Sequence, residues 1–227
     1  SLGMSLPGGA IIPAPYKERT DISFKTGKRI VEMVFENLTP SKIMTKEAFE
    51  NAVYVASAIG ASSNCPPHLT AIARHMGVDF NLDQWEKLGH SIPLLANCQP
   101  AGEHLMEGFF KAGGIPAIMK ELIKDKKLNI KALTVTGKTI EENLNMKIDV
   151  NRDVIKSYEN PLSHNAGFIV MKSNFFSSAV MKTSVISSEF RERYLSNKDS
   201  LNIFEVKAVV FEGPEDYHAR INDDNLN

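Results

Sequence analysis

A run of small polar residues, Ser62, Ser63 and Asn64, stands directly before Pro66 and Pro67. Hydroxyl and amide side chains can bind carboxylate or phosphate oxygens, and free backbone N–H groups at a helix N-terminus add to this capacity. The alternative is that Ser63 or Asn64 only caps the helix that follows. The residues taken alone favour the capping role, and both alternatives stay open at this point.

His104 and Glu107 form a second candidate pair, because they are three positions apart within a predicted helix. On a helix they would share one face and could act as an acid/base or ligand pair if that face lines a cleft. The alternative is a solvated helix that ends at Gly113 and Gly114. The spacing alone favours this alternative.

Other residues with chemical potential are scattered. Lys172, Lys182 and His164 could reach an anionic substrate, although lysines of this kind usually stay on the surface. Cys65 and Cys98, the only cysteines, cannot form a structural zinc site by themselves and are expected to be reduced. Dinucleotide, P-loop, zincin and hydrolase motifs are missing. The residues alone therefore identify no catalytic residue and no metal ligand.

The composition is that of an ordinary globular protein. The chain has 227 residues, is 43% hydrophobic and has a formal net charge of -1. This balance of charge gives no basis for binding nucleic acid or an anionic membrane. The apolar runs are too short to cross a bilayer, and no signal pattern stands at the N-terminus, so a cytoplasmic location is expected.

The elements that would position these residues can be predicted from hydrophobic periodicity. Helices are predicted at residues 23–37, 45–60, 66–77, 82–88, 103–112, 116–124 and 139–144. The apolar run 92–97 and the run 133–137 are predicted to be strands, the first buried on both faces of a parallel sheet. Alternating helices and strands indicate the α/β class.

The pattern changes after about residue 149. Residues 151–165 are polar, and three runs rich in β-forming residues follow at 167–171, 179–183 and 206–211. A final helix is predicted after Gly213 and Pro214. We therefore predict a boundary between domains 1–150 and 151–227.

Several segments together resemble one family, the dihydroxy-acid and phosphogluconate dehydratases. The resemblance covers nearly the whole chain and is carried, in family order, by residues 3–8, 60–64, 65–78, 106–116, 133–144, 166–174 and 179–183. Within the family, residues 66–75 and 210–220 look most like the sugar-acid branch, the arabinonate or xylonate dehydratases. The branched-chain amino-acid enzyme, dihydroxy-acid dehydratase, is the alternative.

The resemblance implies the end of an N-terminal α/β domain, which binds the cluster, followed by the first strands of an incomplete C-terminal β-barrel domain. It implies dehydration of an aldonic acid to a 2-keto-3-deoxy acid with an iron-sulfur cluster and Mg²⁺. The family's metal ligands and catalytic serine fall outside this chain, so none is assigned here, and the chain alone is expected to hold no cofactor and to be inactive. Ser62, Ser63 and Asn64 are expected to contact the substrate, with His104 and Glu107 lining the cleft or an interface.

Both ends of the chain read as interrupted, so a longer protein is expected. The family resemblance implies a homodimer or homotetramer for the full-length enzyme. The other possibility is a truncated, non-catalytic product that acts as an oligomerisation partner.

Overall fold

The computed structural model describes residues 1–195 and 207–226, which form two compact units, Ser1–Val185 and Ile186–Asn227. The helices of the first unit are α1 (Glu18–Phe35), α2 (Pro40–Ile43), α3 (Lys46–Ala58), α4 (Cys65–His75), α5 (Leu82–Gly89), α6 (Met106–Lys111), α7 (Gly114–Lys124) and α8 (Ile140–Leu144). Its strands are β1 (Phe168–Met171) and β2 (Ala179–Lys182). The helices predicted from periodicity are thus confirmed, with shifts at their ends.

The second unit is described by itself. It contains α9 (Ser188–Phe190), a π-helical turn at Arg191–Leu195, and α10 (Pro214–Arg220). The helix predicted after Gly213 and Pro214 is confirmed. Residues 207–211 adopt no strand, so this part of the predicted strand 206–211 is wrong, and Val206 lies outside the described residues.

Helix α3 is the centre of the first unit. Nine of its 13 residues are buried, among them Phe49 and Val53, because apolar and small residues occupy most of its surface. It packs against α4, α5 and α7. Trp85 of α5 lies edge-on to Phe168 of β1, with ring centroids 5.1 Å apart, so the core continues from the helices to the sheet.

Strands β1 and β2 form a two-stranded antiparallel sheet in which Phe168 is opposite Lys182 and Met171 is opposite Ala179. The start of β1 lies directly on the end of α5. A Cβ atom on Gly167 would stand 2.0 Å from the carbonyl oxygen of Gly89, so only glycine fits there. The predicted β character of 167–171 and 179–183 is confirmed.

The predicted strand at residues 92–97 is wrong. This buried segment makes only isolated antiparallel bridges, Leu94 with Ser163 and Ala96 with Ile155. Its other backbone partners include the carbonyl of Ala58 at the end of α3. The apolar run reflects burial between helices and the loop 151–165 rather than membership of a parallel sheet.

The predicted strand at residues 133–137 is also wrong. Thr134 donates its backbone N–H to the carbonyl of Lys138, and Gly137 has a φ of 77°, so the segment is a tight turn. The Thr139 hydroxyl then caps α8. The described residues thus combine many helices with one two-stranded sheet, which is consistent with the α/β class but rich in helix. The β-barrel and the boundary near residue 150 stay predictions.

Helix α1 confirms the helix predicted at 23–37, but its apolar face is uncovered. Val34 is 72% exposed and Phe35 is 86% exposed, whereas Met33 is buried. The opposite side is fixed by Arg29, whose Nε donates to the carbonyl oxygen of Val135 at 2.6 Å. Within the described ranges, none of the helices has both the length and the apolarity that a bilayer span requires.

Candidate functional site

A cavity of about 430 Å³ in the first unit brings together segments that are distant in the sequence. One wall is the loop Gly60–Ser63 between α3 and α4, and another is the segment that contains Cys98 and Gln99. Met106 and Phe109 of α6 supply apolar surface, and Lys182 of β2 supplies charge. The cavity thus includes Ser62 and Ser63 of the predicted substrate loop.

The loop Gly60–Ser63 is fixed by the way α3 ends. Gly60 has a φ of 60° and donates its N–H to the carbonyl of Ser57, while Ala61 donates to the carbonyl of Ala56. These two bonds form the Schellman motif, in which glycine adopts the left-handed conformation. A Cβ atom on Gly60 would stand 3.0 Å from Cδ1 of Leu94, so the Leu94 side chain would have to shift to admit a larger residue.

The start of α4 lacks the free N–H groups that the sequence suggested for binding an anion. The helix begins at Cys65, whose N–H already bonds to the carbonyl of Ser62, and Pro66 and Pro67 have no N–H. His68 donates its N–H to the carbonyl of Asn64. The expectation is therefore wrong for the backbone groups of residues 65–68, whereas the exposed side chains of the loop remain available to a ligand.

The capping alternative for Ser63 and Asn64 also finds no support in the geometry. Asn64 occupies the N-cap position of α4, but its side chain makes no capping hydrogen bond. Instead, the hydroxyl of Ser62 accepts the N–H of Asn64 at 3.2 Å. Ser62, Ser63 and Asn64 are all exposed, so their hydroxyl and amide groups remain accessible.

The opposite wall is a turn held by Asn97, which is 6% exposed. Its Oδ1 accepts the N–H of Glu103 at 3.0 Å, and its Nδ2 donates to the carbonyl of Asp153 at 3.1 Å. The turn passes through a cis peptide bond between Gln99 and Pro100. The two hydrogen bonds of Asn97 hold the turn that places Gln99 and Pro100 at the edge of the cavity.

His104 and Glu107 do not share a helix face. Helix α6 begins at Met106, and His104 stands before it in an isolated bridge with Cys98. The turn requires this extended backbone, because His104 accepts the N–H of Gln99 and donates to the carbonyl of Asn97. The predicted helical pairing of these two residues is therefore wrong.

Glu107 is exposed and is already engaged. Lys111 donates to its Oε1 at 2.6 Å, and Tyr16 donates to the same oxygen. The hydrogen bonds from Lys111 and then from Tyr16 hold the pKa of Glu107 below its ordinary value. Neither His104 nor Glu107 lines the cavity, and contact of either residue with a substrate stays a prediction.

Of the three basic residues considered from the sequence, Lys182 is the one that lines the cavity. Its Nζ donates to the carbonyl oxygen of Gly60 at 3.1 Å, across 122 positions of sequence. Burial lowers the pKa of Lys182, and the nearby thiol of Cys65 opposes this shift in part. By contrast, Lys172 is exposed and pairs with Asp83 at 2.9 Å. The residue types alone could not separate the two lysines, because the hairpin register decides which one faces the loop.

The cysteines do not fit a metal or cluster site in this chain. Cys98 lines the 430 Å³ cavity, whereas Cys65 lines a different, mostly apolar cavity of about 350 Å³. Burial raises the pKa of both thiols, which disfavours the thiolate that a metal requires. No three His, Cys, Asp or Glu side chains of the described residues lie together as a metal site.

The arrangement is suited to binding a small polar anion. Serine hydroxyls can accept or donate hydrogen bonds, Lys182 supplies positive charge, and Met106 and Phe109 supply apolar surface. Such a mixture of one cation, hydroxyls and apolar surface can hold a carboxylate that carries neighbouring hydroxyl groups.

Comparisons with known proteins agree on one family. The family model described as dihydroxy-acid/6-phosphogluconate dehydratase N-terminal matches residues 1–143. The C-terminal model of the same family matches residues 153–227. Both the loop Gly60–Ser63 and Lys182 lie within matched segments.

Similar curated proteins include a D-xylonate dehydratase of Caulobacter vibrioides, 49% identical over 226 residues, which are 100% of this chain and 38% of that protein. An L-arabinonate dehydratase of Rhizobium leguminosarum bv. trifolii is 42% identical over 227 residues, 100% of this chain and 37% of the relative. A dihydroxy-acid dehydratase of Acetivibrio thermocellus is 39% identical over 222 residues, 97% of this chain and 39% of the relative. The chain therefore spans well under half the length of these relatives.

Proposed function

Because the chain belongs to the dihydroxy-acid/6-phosphogluconate dehydratase family, we propose that it is part of a hydro-lyase that dehydrates a sugar acid. The reaction removes water from an aldonic acid and yields a 2-keto-3-deoxy acid. The observation that carries this proposal is the 49% identity to a D-xylonate dehydratase over the entire chain. The similarity to an L-arabinonate dehydratase supports the same class of substrate.

The cavity supports a polyhydroxylated acid as the substrate. Ser62, Ser63 and Asn64 form the substrate loop in this proposal, because their side chains are exposed beside the cavity or at its edge. Hydroxyl and amide groups suit the hydroxyls of an aldonate, since each can donate and accept hydrogen bonds. His104 and Glu107 are retained as residues of the cleft margin or of an interface.

We further propose that the full-length enzyme uses an iron-sulfur cluster and Mg²⁺, held by residues outside these 227. The division into a cluster-binding domain up to residue 150 and the start of a β-barrel from residue 151 belongs to the same proposal. So do a homodimeric or homotetrameric assembly and a cytoplasmic location. The 227-residue chain alone is expected to be inactive.

The test is an assay of the full-length protein and of the 227-residue chain against D-xylonate, L-arabinonate, D-gluconate and 2,3-dihydroxy-isovalerate. Formation of the 2-keto product is followed, and iron and magnesium are measured in both preparations. We expect the full-length protein to contain both metals and to turn over a pentonate fastest. Absence of turnover with every sugar acid, or turnover by the 227-residue chain alone, would contradict the proposal.

A second candidate function is the dehydration of 2,3-dihydroxy-isovalerate in branched-chain amino-acid synthesis. It is favoured by the 39% identity to the dihydroxy-acid dehydratase of Acetivibrio thermocellus over 97% of the chain. The same assay separates the two, because a higher kcat/KM for dihydroxy-isovalerate than for any aldonate would select this candidate. A truncated product that occurs naturally, lacks activity and changes the assembly of a second dehydratase would instead select the non-catalytic alternative.

A further inference from the structure

Lys182 carries a charge that has no acidic partner in the part of the chain that the structure describes. Its ammonium group donates to the carbonyl oxygen of Gly60 at 3.1 Å. No carboxylate of residues 1–195 or 207–226 forms an ion pair with it within 4.0 Å. An ammonium group has three donors. The position of Lys182 therefore leaves donors available to a ligand.

Arg29 is a useful comparison, because it is a largely buried cation whose charge is paired within the chain. Its side chain is 15% exposed and pairs with Glu32 at 3.1 Å and with Glu36 at 2.6 Å. A cation withdrawn from water is costly unless an anion compensates for the lost hydration. Lys182 is also partly buried, but no carboxylate of the described residues pairs with it as Glu32 and Glu36 pair with Arg29. This difference points to an anion supplied from outside the chain.

The surroundings of Lys182 strengthen this reasoning. It is the one charged side chain among the described residues that line the 430 Å³ cavity. The two prolines at the start of α4 have no N–H, so the first turn of this helix offers fewer backbone donors to an anion. The hydroxyls of Ser62 and Ser63 lie on the same cavity and can bind oxygen atoms, but they carry no charge.

We propose that Lys182 binds the carboxylate of the substrate in this cavity, while Ser62 and Ser63 bind the hydroxyls that follow it. This assignment rests on the proposed function, since it takes a sugar acid as the ligand. The carboxylate has lone pairs for several donors at once, so a contact with Lys182 leaves room for its other partners. Burial lowers the pKa of Lys182, and a bound carboxylate would raise it again.

The test is calorimetric titration of the full-length protein with D-xylonate at low temperature, with the absence of 2-keto product checked after each titration so that the heats report binding. The proteins compared are wild type, Lys182→Met, Lys182→Arg and Lys172→Met. Lys172 is the matched control, because it lies on the same hairpin but is exposed and pairs with Asp83. We expect Lys182→Met to raise the Kd at least about tenfold, through loss of a charge-assisted hydrogen bond. Lys182→Arg should retain more affinity than Lys182→Met, and Lys172→Met should change the Kd less than about twofold.

Xylitol, the uncharged analogue, separates binding of a carboxylate from support of the Gly60 loop. Its Kd, measured by competition or by saturation-transfer NMR, should change little in Lys182→Met. The proposal is overturned if Lys182→Met binds D-xylonate as wild type does, or if the affinities for xylitol and D-xylonate fall equally.

Turnover is measured separately, so that the two proposals can fail independently. A wild-type protein that dehydrates no aldonate refutes the proposed function. In that case, D-xylonate binding that disappears in Lys182→Met still establishes the anion site. Normal turnover with unchanged binding by Lys182→Met refutes the role of Lys182 alone.

Discussion

Glu121 is a buried carboxylate that joins α7 to the loop 151–165. Its side chain is 3% exposed and accepts from Lys124 at 2.9 Å and from Arg152 at 2.8 Å. The N–H of Tyr158 donates to its other oxygen at 3.3 Å. Burial alone would raise the pKa of Glu121, but these three hydrogen bonds outweigh it and hold the pKa below the usual 4.5.

Glu121→Gln should therefore lower the free energy of unfolding by about 1–3 kcal/mol at pH 7. Because the folded pKa is depressed, the stabilisation is complete above pH 4.5 and is lost as the pH falls through the lowered pKa. Urea unfolding of both proteins across pH 3–7 measures this. The control is Glu141→Gln, which removes an exposed pair with Lys131 and should cost under about 1 kcal/mol. Equal losses in the two variants, or a difference that does not shrink below pH 4.5, would refute the prediction.

Residue types alone located Ser62 and Ser63 but not their partners. The small polar run stands out in the sequence, and the structure places its two serines on the cavity. Lys182 could not be distinguished from Lys172, since its contact with Gly60 spans 122 positions and depends on the strand register. His104 was misplaced because a helical spacing does not reveal where the helix begins, and the turn held by Asn97 delays it until Met106.

Among the elements, the helices were predictable because their apolar periodicity and caps are local properties. Asn81, for example, forms a capping box with Gln84 at the start of α5. The strands were harder, because an apolar run shows burial but does not name a pairing partner. Ile92 and Leu95 are fully buried without lying in a sheet. Helix α1 is a similar case: its hydrophobic periodicity predicts a helix, but it does not show that the apolar face is exposed to solvent.

The junction between α5 and β1 gives a test of element packing. Gly167→Ala would place a methyl group 2.0 Å from the Gly89 carbonyl oxygen and force the two backbones apart. We expect a loss of about 3 kcal/mol in the free energy of unfolding, measured by urea titration.

The matched control for this junction is Gly27→Ala in α1. Beyond the backbone of its own helix turn, a Cβ atom there meets no atom within 4 Å, and the position lies inside a helix. This substitution should raise stability by about 0.5–1 kcal/mol, because alanine favours the helix. A neutral effect of Gly167→Ala would show that the close approach of β1 to α5 does not occur.

For the whole molecule, the distribution of the core predicts which part folds independently. Every buried apolar residue in the described ranges lies in Ser1–Val185, and Val170 is the last of them along the chain. A chain truncated after Val185 should therefore keep a cooperative thermal transition, with a midpoint within a few degrees of that of the 227-residue chain. Circular dichroism and calorimetry measure both transitions.

A second truncation after Asn160 provides the control. It removes β1 and with it Phe168, which is fully buried against Trp85. Loss of this aromatic ring exposes Trp85 and uncovers α5. The loss in free energy of unfolding should be at least that of a buried Phe→Ala substitution, about 3–5 kcal/mol. The thermal transition should therefore become broad or disappear. The prediction fails if the chain ending at Val185 loses its cooperative transition, because stability would then depend on residues 186–227. It fails equally if the chain ending at Asn160 melts as the longer chains do, because the sheet would then add nothing to the core.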